Sequence, residues 1–235
     1  MRNKYILLTT LIIFAIAFSS LFFLRAKPVK LLYFNDSQVV IKKGDFPLSL
    51  SPSIFAEAIR KNQNDKYPPE DQVGTRTFLF TQLSKFENKL ISFVAEEWKS
   101  GSGGIGGFVI ISGIDGKNIR VVGSFSHLLI DSITKSPKGE YIAYTEGELA
   151  NLCIYRKYSI LDIEKEQVVN LIPPTLLNTP IRVKMDQLSL EGIEWVTQNV
   201  LELQAPETDC LKSPLDSFLV RYWRYNINTK VYFSK

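Results

Sequence analysis

Residues 133–144 read Ile-Thr-Lys-Ser-Pro-Lys-Gly-Glu-Tyr-Ile-Ala-Tyr, and this stretch decides the fold. The Ser-Pro-Lys-Gly segment is typical of a turn, because proline restricts the backbone and glycine permits the angles that a tight reversal needs. Residues 140–144 that follow are rich in apolar, aromatic and β-branched side chains, which favours a strand. The stretch therefore predicts a turn that leads into a short strand.

The same arrangement recurs along the chain. Residues 89–93 and 199–203 each present a comparable strand after a turn, and the matching positions Ile91, Ile142 and Leu201 are 51 and 59 residues apart. Each strand is followed by a second strand, a hairpin turn and a third strand. The second strands are Phe108–Ile114, Tyr158–Ile163 and Phe218–Ile227; the turns are residues 115–117, 164–166 and 228–230; the third strands are residues 119–122, 167–171 and 231–233. These periods are close to those of four-stranded propeller blades.

Residues 136–144 resemble the SPDGKYIAF hairpin of TolB-type, WD-like β-propeller repeats. The resemblance implies that Ser136, Pro137 and Gly139 form the turn between the first two strands of a blade. Lys138 stands where the family usually has an aspartate, and the third unit keeps Trp195 but has neither Ser-Pro nor glycine. The resemblance implies an architecture and no chemistry, since propellers of this type serve both enzymes and passive scaffolds.

The predicted fold class is all-β, with about three to four propeller-like blade units behind one N-terminal transmembrane helix. The domains are residues 1–28 (anchor), 29–75 (strands, a short helix and a polar linker) and 76–235 (the β-repeat domain). Three units do not close a ring, so residues 29–84 are expected to supply a degenerate first blade, with the strand near Leu31 pairing with residues 231–233. A twisted β-sandwich, which needs no closure, is the alternative.

An uncharged apolar run extends from Tyr5 to Leu24. A helix of this length, at about 1.5 Å per residue, spans the hydrocarbon of a bilayer of about 30 Å, so residues 5–24 predict a membrane anchor. A cleaved signal peptide is the alternative, because Ala15 and Ala17 form an A-x-A pattern. The run continues to Leu24, however, where a cleavable signal would have turned polar.

Two features of the sequence predict opposite orientations of this helix in the membrane. Basic residues are more numerous after the apolar run than before it, which favours a cytoplasmic C-terminal side. A four-residue basic leader followed at once by an apolar run is typical of signal anchors. We therefore expect a single-pass membrane protein whose β domain lies outside the cytoplasm, with a cytoplasmic-facing sensor domain as an alternative.

Composition excludes several classes. The 235-residue chain is 45% apolar and 22% charged, as expected for a globular protein. Five of its 28 basic residues lie in residues 1–30, which have no acidic residue, so 23 basic residues face 24 acidic ones in the remainder. No basic surplus is left for nucleic-acid binding. Two cysteines are too few for a disulfide scaffold or a four-cysteine zinc site, and we expect no cofactor.

The glycine-rich segment 101–107 contains the spacing G-x-G-x-x-G. A dinucleotide site needs a helix directly after the glycines, whereas the residues from Phe108 onward predict a strand. We expect a flexible hairpin loop, with a ligand-covering loop that presents Gly103 and Gly104 as the alternative.

Catalytic patterns are sparse. His127 is the only histidine of the chain and no G-x-S-x-G motif is present, so we expect His127 to border a strand. Four glutamates lie near the ends of predicted strands and leave a membrane-anchored hydrolase or lyase as an alternative. They are Glu96, Glu97, Glu146 and Glu148.

Cys153 and Cys210 each follow the first strand of a repeat, so both are expected on one side of adjacent blades, within reach of a disulfide. Such a bond needs an oxidising compartment, and two buried free thiols are the alternative.

Residues 221–225 form an aromatic and basic strand. Arg221, Trp223 and Tyr225 form a ligand surface if their face is exposed, and otherwise fill the space between two sheets. The leading functional hypothesis is a membrane-anchored, non-catalytic binding or scaffold domain. Its partners are the bilayer, through residues 5–24, and an unknown protein or envelope component.

Overall fold

The structure is a computed structural model that describes residues 29–63, 73–84, 89–98, 105–126, 133–150, 153–172, 181–182, 193–206 and 220–234. Within these ranges no helix has both the length and the apolar character needed to cross a bilayer. The predicted anchor at residues 5–24 lies outside them.

The described chain is nearly all β and forms four small antiparallel sheets in sequence order. The first sheet contains β1 (Val29–Asn35), β2 (Gln38–Lys43) and β3 (Phe46–Leu50). The second contains β4 (Val73–Leu83), β5 (Lys89–Trp98), β6 (Ile105–Gly113) and β7 (Arg120–Ser126). The third contains β8 (Thr134–Lys135), β9 (Tyr141–Ala150), β10 (Cys153–Asp162) and β11 (Gln167–Leu171), with β12 (Ile181–Arg182) beside β10. The fourth contains β13 (Ile193–Thr197), β14 (Val200–Pro206), β15 (Val220–Asn226) and β16 (Val231–Ser234).

The last three sheets each contain a four-stranded meander that matches a repeat in the sequence, and the third sheet has β12 as an additional strand. Each predicted hairpin turn joins the third and fourth strands of its sheet. In two of these turns, residues with side chains adopt positive φ, 52° at Glu166 and 57° at Lys230. A backbone reversal of this kind closes an antiparallel hairpin.

Between the first two sheets lies a 3₁₀ turn, Pro52–Phe55, followed by helix α1 (Ala56–Gln63). Proline suits the first position of such a turn because its φ is already restricted. Phe55 and Ile59 are buried against the first two sheets. The predicted polar linker up to residue 75 is shorter than expected, because β4 begins at Val73, where it pairs with Trp98 of β5.

The four sheets stack face to face, and each interface has its own apolar core. The first core lies between the first and second sheets, together with α1; it includes Ile41, Phe78, Leu90 and Val94. The second lies between the second and third sheets and includes Phe93, Val109, Tyr144 and Leu161. The third lies between the third and fourth sheets and includes Tyr158, Ile160, Leu201 and Leu203.

Strand β5 shows why the sequence produces this stack. Leu90 and Val94 enter the first core, whereas Ile91 and Phe93 enter the second. Successive side chains of a strand point to opposite faces, so an unbroken apolar run requires a covering layer on both sides. The middle sheets carry such runs, and each is accordingly enclosed by two neighbours.

The sheets do not close into a ring by strand pairing. Strand β1 pairs with β2, and β16 pairs with β15, in the described part of the chain. The predicted pairing of the strand near Leu31 with residues 231–233 is therefore wrong, because β1 and β16 lie at the edges of two separate sheets, the first and the fourth, and do not pair with each other. The alternative of a two-sheet sandwich is also wrong, since four sheets are stacked in succession.

Candidate functional site

A pocket of about 440 Å³ lies where β1, β4 and the turn after β8 come together. Its volume falls in the range of small-ligand sites. The lining residues come from three of the sheets: Leu31 and Phe34 of the first, residues 80–83 of the second and residues 135–139 of the third. The pocket therefore exists only because these sheets are stacked.

The turn after β8 is rigidly held. The Ser136 side chain is fully buried, and its hydroxyl accepts hydrogen bonds from the backbone N–H groups of Glu140 and Tyr141 at 3.2 and 3.1 Å. The Gly139 N–H donates to the Ser136 carbonyl at 2.7 Å, and Gly139 adopts a φ of 69°. Glycine tolerates this left-handed conformation at little cost. The serine hydroxyl is thus committed to the turn and is not a free nucleophile.

The fourth sheet supports the same turn from behind. Gln198 accepts a hydrogen bond from the Lys138 N–H at 2.6 Å and donates to the Glu140 carboxylate at 2.7 Å. The Trp195 indole N–H donates to the Thr134 carbonyl at 3.2 Å, and its ring stacks on Tyr141 with centroids 6.2 Å apart. Burial raises the pKa of the Tyr141 phenol above its ordinary value. These contacts fix the turn after β8, which forms one wall of the pocket, against the fourth sheet.

The opposite wall joins the first two sheets. The Phe78 N–H donates to the Asp36 carbonyl at 2.9 Å, which holds β4 against the turn between β1 and β2. The Phe34 and Phe80 rings meet edge to face with centroids 6.5 Å apart, and Phe80 meets Phe93 of the second core at 5.8 Å. Three aromatic rings in contact, those of Phe93, Phe80 and Phe34, thus connect the second core with the pocket.

Gln82 is the least satisfied polar side chain of the pocket. Its Nε2 donates to the Gly139 carbonyl over a long 3.4 Å, and its buried Oε1 has no hydrogen-bond partner among the described residues. A buried acceptor without a donor costs about 1 to 3 kcal/mol. The remaining polar character comes from Thr81, which is buried, and from the exposed side chains of Lys135 and Lys138.

The aromatic strand predicted as a ligand surface lies in β15. Tyr225 is buried in the third core, where its ring meets that of Tyr232 at 4.8 Å. Trp223 is half-buried and pairs with Leu203 on the same face of the sheet. The Arg221 backbone pairs with Ala205, and the Arg221 side chain is not among those described. Tyr225 therefore fills the space between two sheets.

The predicted cysteine pair lies mainly outside the described residues. Cys153 is the first residue of β10 rather than part of a loop, and its backbone pairs with Ala150 and Arg182. Its side chain and all of Cys210 are not described. His127, Gly103 and Gly104 also lie outside the described residues.

Three of the candidate carboxylates, those of Glu96, Glu97 and Glu146, have described side chains and none of them lines the pocket; the Glu148 side chain is not among those described. Glu96 is fully buried, and its Oε1 lies 2.5 Å from the Nε of Arg76. Glu97, its exposed neighbour in the strand, points to the other face of the sheet. Glu146 is buried near Tyr144. In the described ranges no three histidine, cysteine, aspartate or glutamate side chains cluster in a way that would hold a metal ion.

Part of the glycine-rich segment has a packing role. Gly107 is buried in β6, and a Cβ atom at this position would overlap the Phe125 ring atoms Cε2 and Cζ. We expect Gly107→Ala to lower the free energy of unfolding by about 1 to 3 kcal/mol, because the ring must leave its place in the second core. Equilibrium urea denaturation measures the change. The double variant Gly107→Ala/Phe125→Leu is expected to be more stable than Gly107→Ala with the intact ring, and no recovery would contradict the steric explanation.

Sequence reasoning did not identify the pocket residues as a site. One signal was present, namely Lys138 at the position where the repeat family usually has an aspartate. Phe34 and Gln82, which line the same pocket, are distant from this lysine in sequence and carry no motif.

Comparison with known proteins identifies no family, since no family model and no curated protein matches the chain. Solved structures that match include the β-propeller domain of the Trilobed protease from Pyrococcus furiosus, which is described as having an open velcro topology. It has 12% identity and a TM-score of 0.37, covering 66% of this chain and 43% of that one. Another is a mutant of the Synechocystis apocarotenoid oxygenase, with 8% identity and a TM-score of 0.35, covering 87% of this chain and 45% of that one. This chain thus spans less than half the length of either. TM-scores this low do not support a conclusion about fold or function. The fold described above rests on the strand pairing of the chain itself.

Proposed function

We propose that the protein is a membrane-anchored, non-catalytic binding domain of propeller-like architecture, that it lies outside the cytoplasm, and that the pocket is its binding site. The observation that carries the proposal is the chemistry of the pocket wall. Its residues offer apolar surface, two lysines and an amide, and none of the pocket-lining residues that the structure describes is an acid, a histidine or a cysteine. Such a lining holds a ligand but has no group placed for general acid–base chemistry.

The arrangement of the sheets supports the propeller-like part of the proposal. The second, third and fourth sheets each contain a four-stranded meander, and their successive faces pack on one another. The pocket is lined by the first strands of two sheets and by the turn after the first strand of a third. In propellers the strands that begin each blade surround a central channel, which is where this pocket would lie.

The buried ion pair speaks against the alternative of a carboxylate hydrolase. An acid that donates a proton to a leaving group needs access to substrate, whereas the Glu96 carboxylate is fully buried beside the Arg76 guanidinium. Turnover of a glycan panel by the purified full chain, lost in Glu96→Gln or Glu97→Gln, would overturn the proposal of a binding domain.

The anchor and the orientation are tested together on the full chain in its native membrane. We expect the chain to stay with membranes after a carbonate wash and a variant lacking residues 1–28 to be released, because residues 5–24 supply the apolar span. Protease added outside intact cells should digest the β domain, and non-reducing mass spectrometry should find a Cys153–Cys210 link. Release of the full chain by carbonate would refute the anchor, and protection from protease with two freely alkylated thiols would place the domain in the cytoplasm.

A further inference from the structure

We propose that the pocket binds an organic acid that carries an apolar body and one hydrogen-bond donor. The inference rests on the proposed function, because it assigns a ligand class to the same pocket. Three features of the lining each select one part of such a ligand.

The apolar body is selected by the wall formed by β1 and β4. Leu31, Phe34, Phe80 and Leu83 lie along this wall, and Phe34 is 39% exposed although its ring contacts that of Phe80. Covering this surface removes apolar area from water, which favours a ligand with an aromatic or branched aliphatic group.

The acidic group is selected by Lys135 and Lys138 on the opposite wall. Both side chains are exposed, and neither forms an ion pair among the described residues. Among the described lining residues the only charged side chains are these two lysines, and both are cationic.

The backbone of the turn does not offer a second anion site. The N–H groups of Ser136, Lys138 and Gly139 already donate within the protein, at 2.9, 2.6 and 2.7 Å, and Pro137 has no N–H. Recognition of the acid therefore depends on the two ammonium groups, which bind an anion as point charges.

The hydrogen-bond donor is selected by Gln82. In the described part of the chain its Oε1 is a buried acceptor without a partner, and the one hydrogen bond of its amide is the 3.4 Å bond to the Gly139 carbonyl. Buried unsatisfied acceptors are uncommon in native proteins. Because Gln82 lines the pocket, an N–H or O–H of a bound ligand is the group that would satisfy this oxygen.

A free acylated amino acid and the carboxyl end of a peptide share this chemistry, since each has a carboxylate, an amide N–H and a side chain. Isothermal titration calorimetry on the full chain in detergent micelles, with N-acetyl-phenylalanine as the probe, tests the proposal. We expect N-acetyl-phenylalaninamide, which lacks the charge, and 3-phenylpropanoate, which lacks the N–H, to bind about tenfold and about fivefold more weakly.

Three variants assign the contacts. Lys135→Gln/Lys138→Gln should weaken binding of the acid about tenfold and flatten its salt dependence, without changing binding of the amide. Gln82→Leu should weaken binding of the acid and leave 3-phenylpropanoate unaffected. Lys117→Gln, which removes an exposed lysine on a hairpin away from the pocket, is the matched control and should change nothing. Thermal denaturation of each variant verifies that it is folded.

Three results would overturn the proposal. They are equal affinity for N-acetyl-phenylalanine and its amide, an affinity for N-acetyl-phenylalanine that the lysine substitutions do not change, and no binding of any of the three probes at millimolar concentration. A pentapeptide that ends in phenylalanine with a free carboxylate distinguishes the two sources. A gain of about tenfold over the acetylated amino acid indicates a chain end, and no gain indicates a free small molecule. Failure of the proposed function is seen separately, as release by carbonate or as turnover of substrate.

Discussion

Substitution of Phe93 by alanine is expected to lower the free energy of unfolding by about 3 to 5 kcal/mol. Phe93 is fully buried between the second and third sheets. Its ring contacts those of Phe80, Phe125 and Tyr144, with centroids 5.8, 6.1 and 5.1 Å away. Truncation removes the transfer free energy of the ring and leaves a cavity that three other rings cannot fill without leaving their own positions.

Equilibrium urea denaturation of the full chain measures this loss. Phe46→Ala is the matched control, because the Phe46 side chain is 75% exposed at the edge of the first sheet. We expect the control to change stability by less than about 0.5 kcal/mol. Similar losses for both variants would show that the second core does not determine stability.

Substitution of Arg76 by methionine is expected to cost about 3 to 5 kcal/mol, because it leaves the Glu96 carboxylate buried without this guanidinium. The two side chains are 8% and 0% exposed, with Nε and Oε1 2.5 Å apart. The carboxylate then keeps the cost of its lost hydration without the attraction of this guanidinium. The double variant Arg76→Met/Glu96→Leu is expected to recover most of the loss, since it replaces the pair by apolar groups.

The control for this variant is Lys61→Met on helix α1. The Lys61–Glu57 pair has a similar separation of 2.6 Å, but its side chains are 71% and 69% exposed. We expect a change within about 0.5 kcal/mol, as for other exposed pairs four residues apart in a helix. Urea denaturation that shows equal losses at the two sites, or no recovery in the double variant, would contradict the role assigned to burial.

Local pattern alone was sufficient to predict the last three strands of the meander in each of the second, third and fourth sheets. The turn at residues 136–139 and the hairpins at residues 115–117, 164–166 and 228–230 lie where proline, glycine and polar residues interrupt apolar runs. These features depend on the conformations of a few neighbouring residues, which the sequence specifies directly. Strands with apolar residues at consecutive positions, such as β5, are also specified by local sequence, because both of their faces must be covered.

Pairing between distant elements was not predictable in the same way. Strand β1 was expected to pair with the C-terminal strand, and in the structure it pairs with β2 alone. The pairing with β2 closes a turn of only two residues, whereas a pairing with β16 would have to bring the first and the fourth sheet together. Likewise, an acid at position 96 reads as exposed in sequence, and only the stacking of two sheets buries it beside Arg76.

By itself, therefore, the sequence determined an all-β chain of repeated antiparallel units, because turn residues and alternating or continuous apolar runs act over short distances. The position of the pocket depends on tertiary structure, because its lining residues come from three sheets. Phe34, Gln82 and Lys138 belong to three different sheets and meet through the packing of two cores and the hydrogen bonds of Gln198. Local sequence patterns do not predict that these three residues lie close together. Their proximity depends on how the sheets are placed relative to one another, and the contacts between sheets are made by residues far apart in the chain.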